Sequence, residues 1–161
     1  MVFRLHLVAG AGCLPIRLGA TRLATRQQMS DMGLDLGTSR GSIDYYFNNV
    51  IQVEFDTKES AIFIGVAASR NVELLYSGKN LIDLPARVVF DLIAANERDQ
   101  VPAYTTSSVL FPGQIITLWE ADPQYDSRYG KIAQWGQIGI GNAEYLAALS
   151  PRKSSSRAIS R

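Results

Sequence analysis

The strongest constraint on how this chain folds is that its sequence repeats its own pattern. Phe47 is followed at four residues by Ile51 and then by the alternating run Ile51, Val53, Phe55, closed by Asp56. In the second half Phe111 is followed at four residues by Ile115, then by Thr117 and Trp119, closed by Glu120, an offset of 64. A helical segment lies upstream of each copy, at 21–32 and 85–96, and another strand-like run lies downstream, AIFIGVA at 61–67 and WGQIGIG at 135–141. A duplicated supersecondary unit fixes architecture more firmly than local propensity does.

The elements follow from side-chain chemistry. VIQVEFD alternates apolar Ile51, Val53 and Phe55 with polar Gln52 and Glu54, the period of a strand with one wet face. In the 85–96 segment Asp83 is placed to cap the helix and Pro85 sits in the first turn. Ala86, Val89, Phe90, Ile93 and Ala94 form its apolar stripe. The 21–32 helix has a thinner stripe of Thr21, Thr25, Met29 and Met32, with Leu23 off the face, and is expected to be shorter or frayed. Strands at 15–19 and 72–78 precede the two helices. The expectation is an α+β fold of two β-α-β-β repeats, about 8–68 and 72–145, forming one antiparallel sheet with both helices on one face.

The chain of 161 residues is long enough to bury roughly 68–70% of its unfolded surface in one core, so 1–150 reads as a single domain. The final eleven residues, PRKSSSRAISR, hold Arg152, Lys153, Arg157 and Arg161 and no acid. Removing these four from the 16 basic groups leaves 12 against 15 acidic, a net of −3 for residues 1–150. The 151–161 segment reads as a disordered basic tail. A mildly acidic body argues against a nucleic-acid partner. No apolar run approaches the roughly 20 residues of a membrane helix, so a soluble, cytoplasmic chain is expected. The alternative is a periplasmic lipoprotein anchored through Cys13, since Arg4 and a short apolar stretch precede that cysteine.

Chemistry-bearing motifs are few. One histidine, His6, and one cysteine cannot complete a zinc shell, and no cofactor or metal is expected. Gly37-Thr38-Ser39-Arg40-Gly41 has nucleophile-elbow spacing but no histidine after it, and it reads as a flexible loop. No catalytic residue is assigned. Glu54, Asp56, Glu120, Asp122 and Asp126 would gather at one rim of the sheet if the two repeat strands are neighbours. That rim would be an acidic patch for a basic partner or the acid–base pair of a small enzyme. Tyr45, Tyr46 and Phe47 are consecutive, so one side of the triplet meets the core and the other meets water or a partner. Trp119, Tyr125, Tyr129 and Trp135 surround the long loop of the second repeat, and such aromatics are enriched at binding hot spots.

PIRLGATR at 15–22, with DYYFNNVIQVEFD, VELLYSGKNLID and ITLWEADP, resembles small bacterial proteins with tandem α/β repeats. This is the group of β-lactamase-inhibitor-protein-like and outer-membrane-assembly-lipoprotein-like domains, together with single-domain proteins of toxin-immunity loci. The Leu-Gly-x-Pro that usually ends the first helix is replaced here by MSDMGLDLG. The resemblance implies a non-catalytic interaction module, an immunity or inhibitor protein, and it transfers no catalytic residue. The expected partner is a protein, such as a basic toxin domain, or a second copy in a homodimer. The expected contact residues are Tyr46, Trp119, Glu120, Asp122, Tyr125 and Tyr129.

Overall fold

The computed structural model describes residues 2–123 and 132–149. The chain is α+β, with two sheets. Strands β4 (Leu36–Arg40), β5 (Ile43–Tyr46), β6 (Ile51–Phe55), β7 (Ala61–Ala67), β10 (Ser108–Phe111), β11 (Ile116–Asp122) and β12 (Gln134–Gly141) form an antiparallel sheet in the order β10-β11-β12-β7-β6-β5-β4. Strands β1 (Phe3–Val8), β2 (Gly12–Leu14), β3 (Ile16–Arg17), β8 (Val72–Tyr76) and β9 (Lys79–Asn80) form the second, in the order β3-β2-β1-β8-β9. The helices are α1 (Arg22–Asp31), α2 (Ala86–Ala94) and a short α3 (Ala143–Leu149). One continuous core takes side chains from both sheets and from α1 and α2.

The expected single sheet does not form. Short loops do pair β5, β6 and β7 antiparallel, and β10, β11 and β12 pair likewise, the last two across the long loop. The strands ahead of each helix are separated from those ladders by the helix itself. They meet each other instead, β1 running parallel to β8 with Leu5 opposite Leu74. Cys13, in β2, is fully buried beside this seam, and burial pushes its thiol up to about 12.

The two halves match in register at an offset of 65, not 64. Tyr46 pairs with Ile51 as Phe111 pairs with Ile116, and Asp44 with Val53 as Val109 with Leu118. Backbone bonds outside the ladders correspond too. Phe55 N donates to Ser42 O as Glu120 N does to Ser107 O, and Arg22 N to Glu59 O as Ala86 N to Ala133 O. Across the seam Ala68 N donates to Gly136 O while Asn142 N donates to Ile62 O. The sequence reading slipped because Phe47 was matched to Phe111. Phe47 in fact lies in the turn, with φ of +53°, and Tyr46 occupies the place of Phe111. A one-residue slip exchanges the faces of a strand. Trp119 is therefore the counterpart of Glu54 on the outer face, and Leu118 that of buried Val53.

Other elements differ in instructive ways. Helix α1 is not frayed: Thr21 caps it, its hydroxyl accepting from Ala24 N at 3.1 Å, and Thr25 and Met29 are buried. Asp83 does not cap α2. It lies in a 3-10 turn, Leu81–Asp83, and α2 starts after Pro85 without a side-chain cap, its first N–H taken by Ala133 O. Residues 37–41 are not a loop; most of them form edge strand β4, joined to β5 by a two-residue turn that begins at Gly41, φ +57°. The second repeat was expected to end near 145, yet α3 follows β12 there. Tyr145 of α3 stacks on Phe63 of β7 at 4.6 Å, over the outer face of the larger sheet.

That stacking depends on glycine. A Cβ on Gly139 would lie 2.3 Å from Cζ of Phe63, so the ring can lie against the strand only because β12 has no side chain there. We predict that Gly139→Ala lowers stability by about 1–3 kcal/mol in urea unfolding and speeds proteolysis at α3. Unchanged stability with α3 still protected would contradict this packing.

Candidate functional site

The structure separates the residues expected to form one contact surface. Tyr46 faces the core; it is buried, and its hydroxyl donates to Asp44 Oδ2 at 3.4 Å, so it is not a partner-facing residue. Of the consecutive aromatics it is the one whose strand face points inward. Trp119 is 51% exposed on the outer face of β11, between Ser108 of β10 and Gln137 of β12. Glu120 and Asp122, both half-buried, follow it, and Glu120 has φ of +51°. Tyr125, Tyr129 and Asp126 lie outside the described residues, as does the 151–161 tail. Trp135 belongs to the core, its indole N–H donating to Ala86 O at 2.9 Å.

The acids do not gather. Strand β6 is separated from β11 by β7 and β12, and since every neighbour runs antiparallel, β6 and β11 point in opposite directions. Glu54 and Asp56 therefore end one side of the sheet and Glu120 and Asp122 the other, about 14 Å apart across the strands alone. They cannot serve as an acid–base pair. Asp56 instead accepts from the Ser60 amide at 2.9 Å, which with its contact to Glu144 of α3 lowers its carboxyl, while that contact raises the Glu144 carboxyl.

The outer face has a covered half and an open half. Phe63 of β7 and Gln137 of β12 occupy matching positions about the Gly65–Gly139 pair at the seam. Phe63 lies against Gly139 and beneath Tyr145. Gln137 lies against Gly65, where a Cβ would be 2.6 Å from its amide nitrogen, and donates to Gln52 Oε1 at 3.2 Å. Beside Gln137 stands Trp119.

A second site was not anticipated. Asp44, on β5, has no exposed side-chain surface and is surrounded by donors. Arg22 reaches it through Nη2 at 2.6 Å, Arg26 through Nε at 2.8 Å and Nη2 at 2.9 Å, and Ser39 through Oγ at 2.9 Å. Arg22 also donates to Gly41 O at 2.9 Å and to Glu59 at 3.3 Å. Burial alone would raise the Asp44 carboxyl, but hydrogen bonds from Arg26, Arg22 and Ser39 outweigh it and hold it well below the usual carboxylate range. Burial and then the charge of Asp44 push the Tyr46 hydroxyl up to about 12. Around the two arginines opens a cleft of about 490 Å³, with Leu23, Lys58 and Glu59 on its walls.

The matching register shows what this place holds in the other half. Arg22 corresponds to Ala86 and Arg26 to Phe90; Asp44 and Tyr46 correspond to Val109 and Phe111, while edge strand β4, which carries Ser39, has no counterpart strand among the described residues and Tyr104 lies against Phe90 instead. There the space is filled by rings, Phe90 against Tyr104 at 5.2 Å and against Phe111 at 5.3 Å. The backbone thus accepts an apolar filling, and the charged network in the first half is an addition to what folding requires. One sequence signal pointed to it. Arg22 and Arg26 stand at i and i+4, a repulsive pair on an isolated helix unless an acid from elsewhere holds both.

Compared with protein families, curated proteins and solved structures, the chain matches none. Among the described residues no helix is long and apolar enough to cross a membrane.

The network fixes an acid response. The folded Asp44 carboxyl takes up a proton less readily than the unfolded one, so its stabilisation is full above about pH 4 and drains away as pH falls further. Asp44→Asn should cost about 3 kcal/mol at pH 7, the low end for a broken buried pair because Arg26 stays partly in water. Urea unfolding at pH 7, 4 and 3 should find the gap between wild type and variant shrinking with acid. A constant gap would contradict the assigned ionisation.

Proposed function

We propose that the chain is a non-catalytic protein-binding module of the immunity or inhibitor type, built from two copies of one β-α-β block with its following ladder. It recognises a partner through the open half of the outer sheet face. The observation that carries this reading is the exposure of Trp119 beside Gln137, on the patch whose counterpart is covered by α3. Tyr145 on Phe63 is an example, within the same chain, of a helix seated by ring stacking on this kind of surface. The partner would present a short helix or loop that packs on the indole. Large aromatics bury much area at little entropic cost and dominate binding energy when fully covered.

Glu120 and Asp122 follow Trp119 on β11, and their charge favours a basic partner such as a cationic toxin domain met in the cytoplasm. Complementary charge raises the association rate, and the packed indole then slows release. The acid pair that an enzymatic reading would need, Glu54 or Asp56 with Glu120 or Asp122, is not brought together among the described residues, and Asp44 is held in its ionised form.

Capture from the native host with wild type, Trp119→Ala and a Leu23→Ala control tests the surface. A protein held by wild type and the control should be lost from Trp119→Ala, with affinity falling by about 30-fold or more, as for a hot-spot tryptophan. Retention by Trp119→Ala would overturn the site. Sedimentation that finds a dimer broken by the same substitution would replace the foreign partner with a second copy.

A further inference from the structure

We propose that the cleft between α1 and the β4–β5 hairpin is a binding site for a small-molecule oxyanion, a carboxylate or a phosphate, held by Arg26 and Lys58. The inference is independent of the Trp119 face and starts from the difference between the two halves. In the second half the equivalent space is closed by rings; in the first it is open and lined with charge. Its volume of about 490 Å³ is of the size that takes small ligands, roughly 300–1,000 Å³.

The two arginines are not equivalent. Arg22 is engaged by Asp44, Ser39, Gly41 O and Glu59, and only 15% of its side chain is exposed. Arg26 binds Asp44 and Ser39 through Nε and Nη2, lies beside the Tyr46 hydroxyl, and keeps 40% of its side chain exposed on the cleft. Asp44 thus locks the Nε–Nη2 edge of the Arg26 fork, and the exposed part of the same side chain lines the cleft. A guanidinium fixed in this way loses little entropy on binding a planar or tetrahedral oxyanion. Lys58 adds a flexible point charge on the opposite wall. Arg22, Arg26 and Lys58 bring three positive charges to the cleft, with Asp44 buried behind the arginines, Glu59 paired with Arg22, and Asp56 and Glu144 near Lys58. Exposed Leu23 at the mouth offers apolar contact to the remainder of a ligand.

The test uses the full chain, titrated in separate arms with inorganic phosphate and with succinate at constant ionic strength maintained by chloride. Binding is followed by NMR of the Arg26 Nε–H and the backbone amides of α1. The expected result is saturable one-to-one binding in one arm, which also identifies the anion class. Affinity should fall roughly tenfold or more in Lys58→Met and in Arg26→Met, the loss expected for a charge-assisted hydrogen bond, and should be unchanged in Arg98→Met, on a separate cleft. Lys58 is exposed, so its variant keeps the test valid if Arg26→Met does not fold. Three results would overturn the proposal: no saturable shift in either arm, equal affinity in wild type and Lys58→Met, or shifts reproduced by chloride alone.

Discussion

The antiparallel seam between β7 and β12 is the contact on which the arrangement rests. Val66 opposite Ile138, Gly65 opposite Gly139 and Ile64 opposite Ile140 join the two halves of the larger sheet, and the isoleucines and Val66 face one core. The pairing is self-complementary, since each contact made by one half is returned by the other. Once it is set, the ladders on either side extend outward with matching register. The strands ahead of the helices are then left to pair in parallel, in the second sheet.

The matched halves make the chain its own control. Positions that share a backbone environment hold similar residues where the core demands them: Ile51 and Ile116, Val53 and Leu118, Met29 and Ile93 are all buried. Where the residues diverge, the backbone is not the cause. Asp44 with Arg22 and Arg26 against Val109 with Ala86 and Phe90 is the largest divergence in the interior, and Trp119 against Glu54 the largest on the outer face. A charged cluster where an apolar one suffices is weak evidence for stability and stronger evidence for a task at the surface it organises.

Much of this was legible in the sequence. The stripe Ala86, Val89, Phe90, Ile93 and the alternation through 51–55 located α2 and β6 because each is a strong local period. The second sheet was not legible, because β1 meets β8 across about 69 residues and no local pattern encodes that partner. Register failed by one at a turn where Phe47 adopts a left-handed conformation that an aromatic residue seldom takes, so Trp119 was aligned with Phe55 and not with Glu54. The Asp44 network escaped because its members come from three elements, and each alone reads as a solvated polar residue. The long-range pairing of a charge with its partners is set by topology, not by spacing along the chain.

The central claim is that the charged cluster is not needed for folding, since its counterpart does the same structural work with apolar groups. Its most direct test is to write the second half into the first: Arg22→Ala, Arg26→Phe, Asp44→Val and Tyr46→Phe together, compared with Asp44→Val alone in urea unfolding. The combined variant should fold cooperatively, with a stability within about 2 kcal/mol of wild type, while Asp44→Val alone loses more, because it leaves two arginines without their carboxylate. A combined variant that fails to fold, or is less stable than the single substitution, would contradict the account.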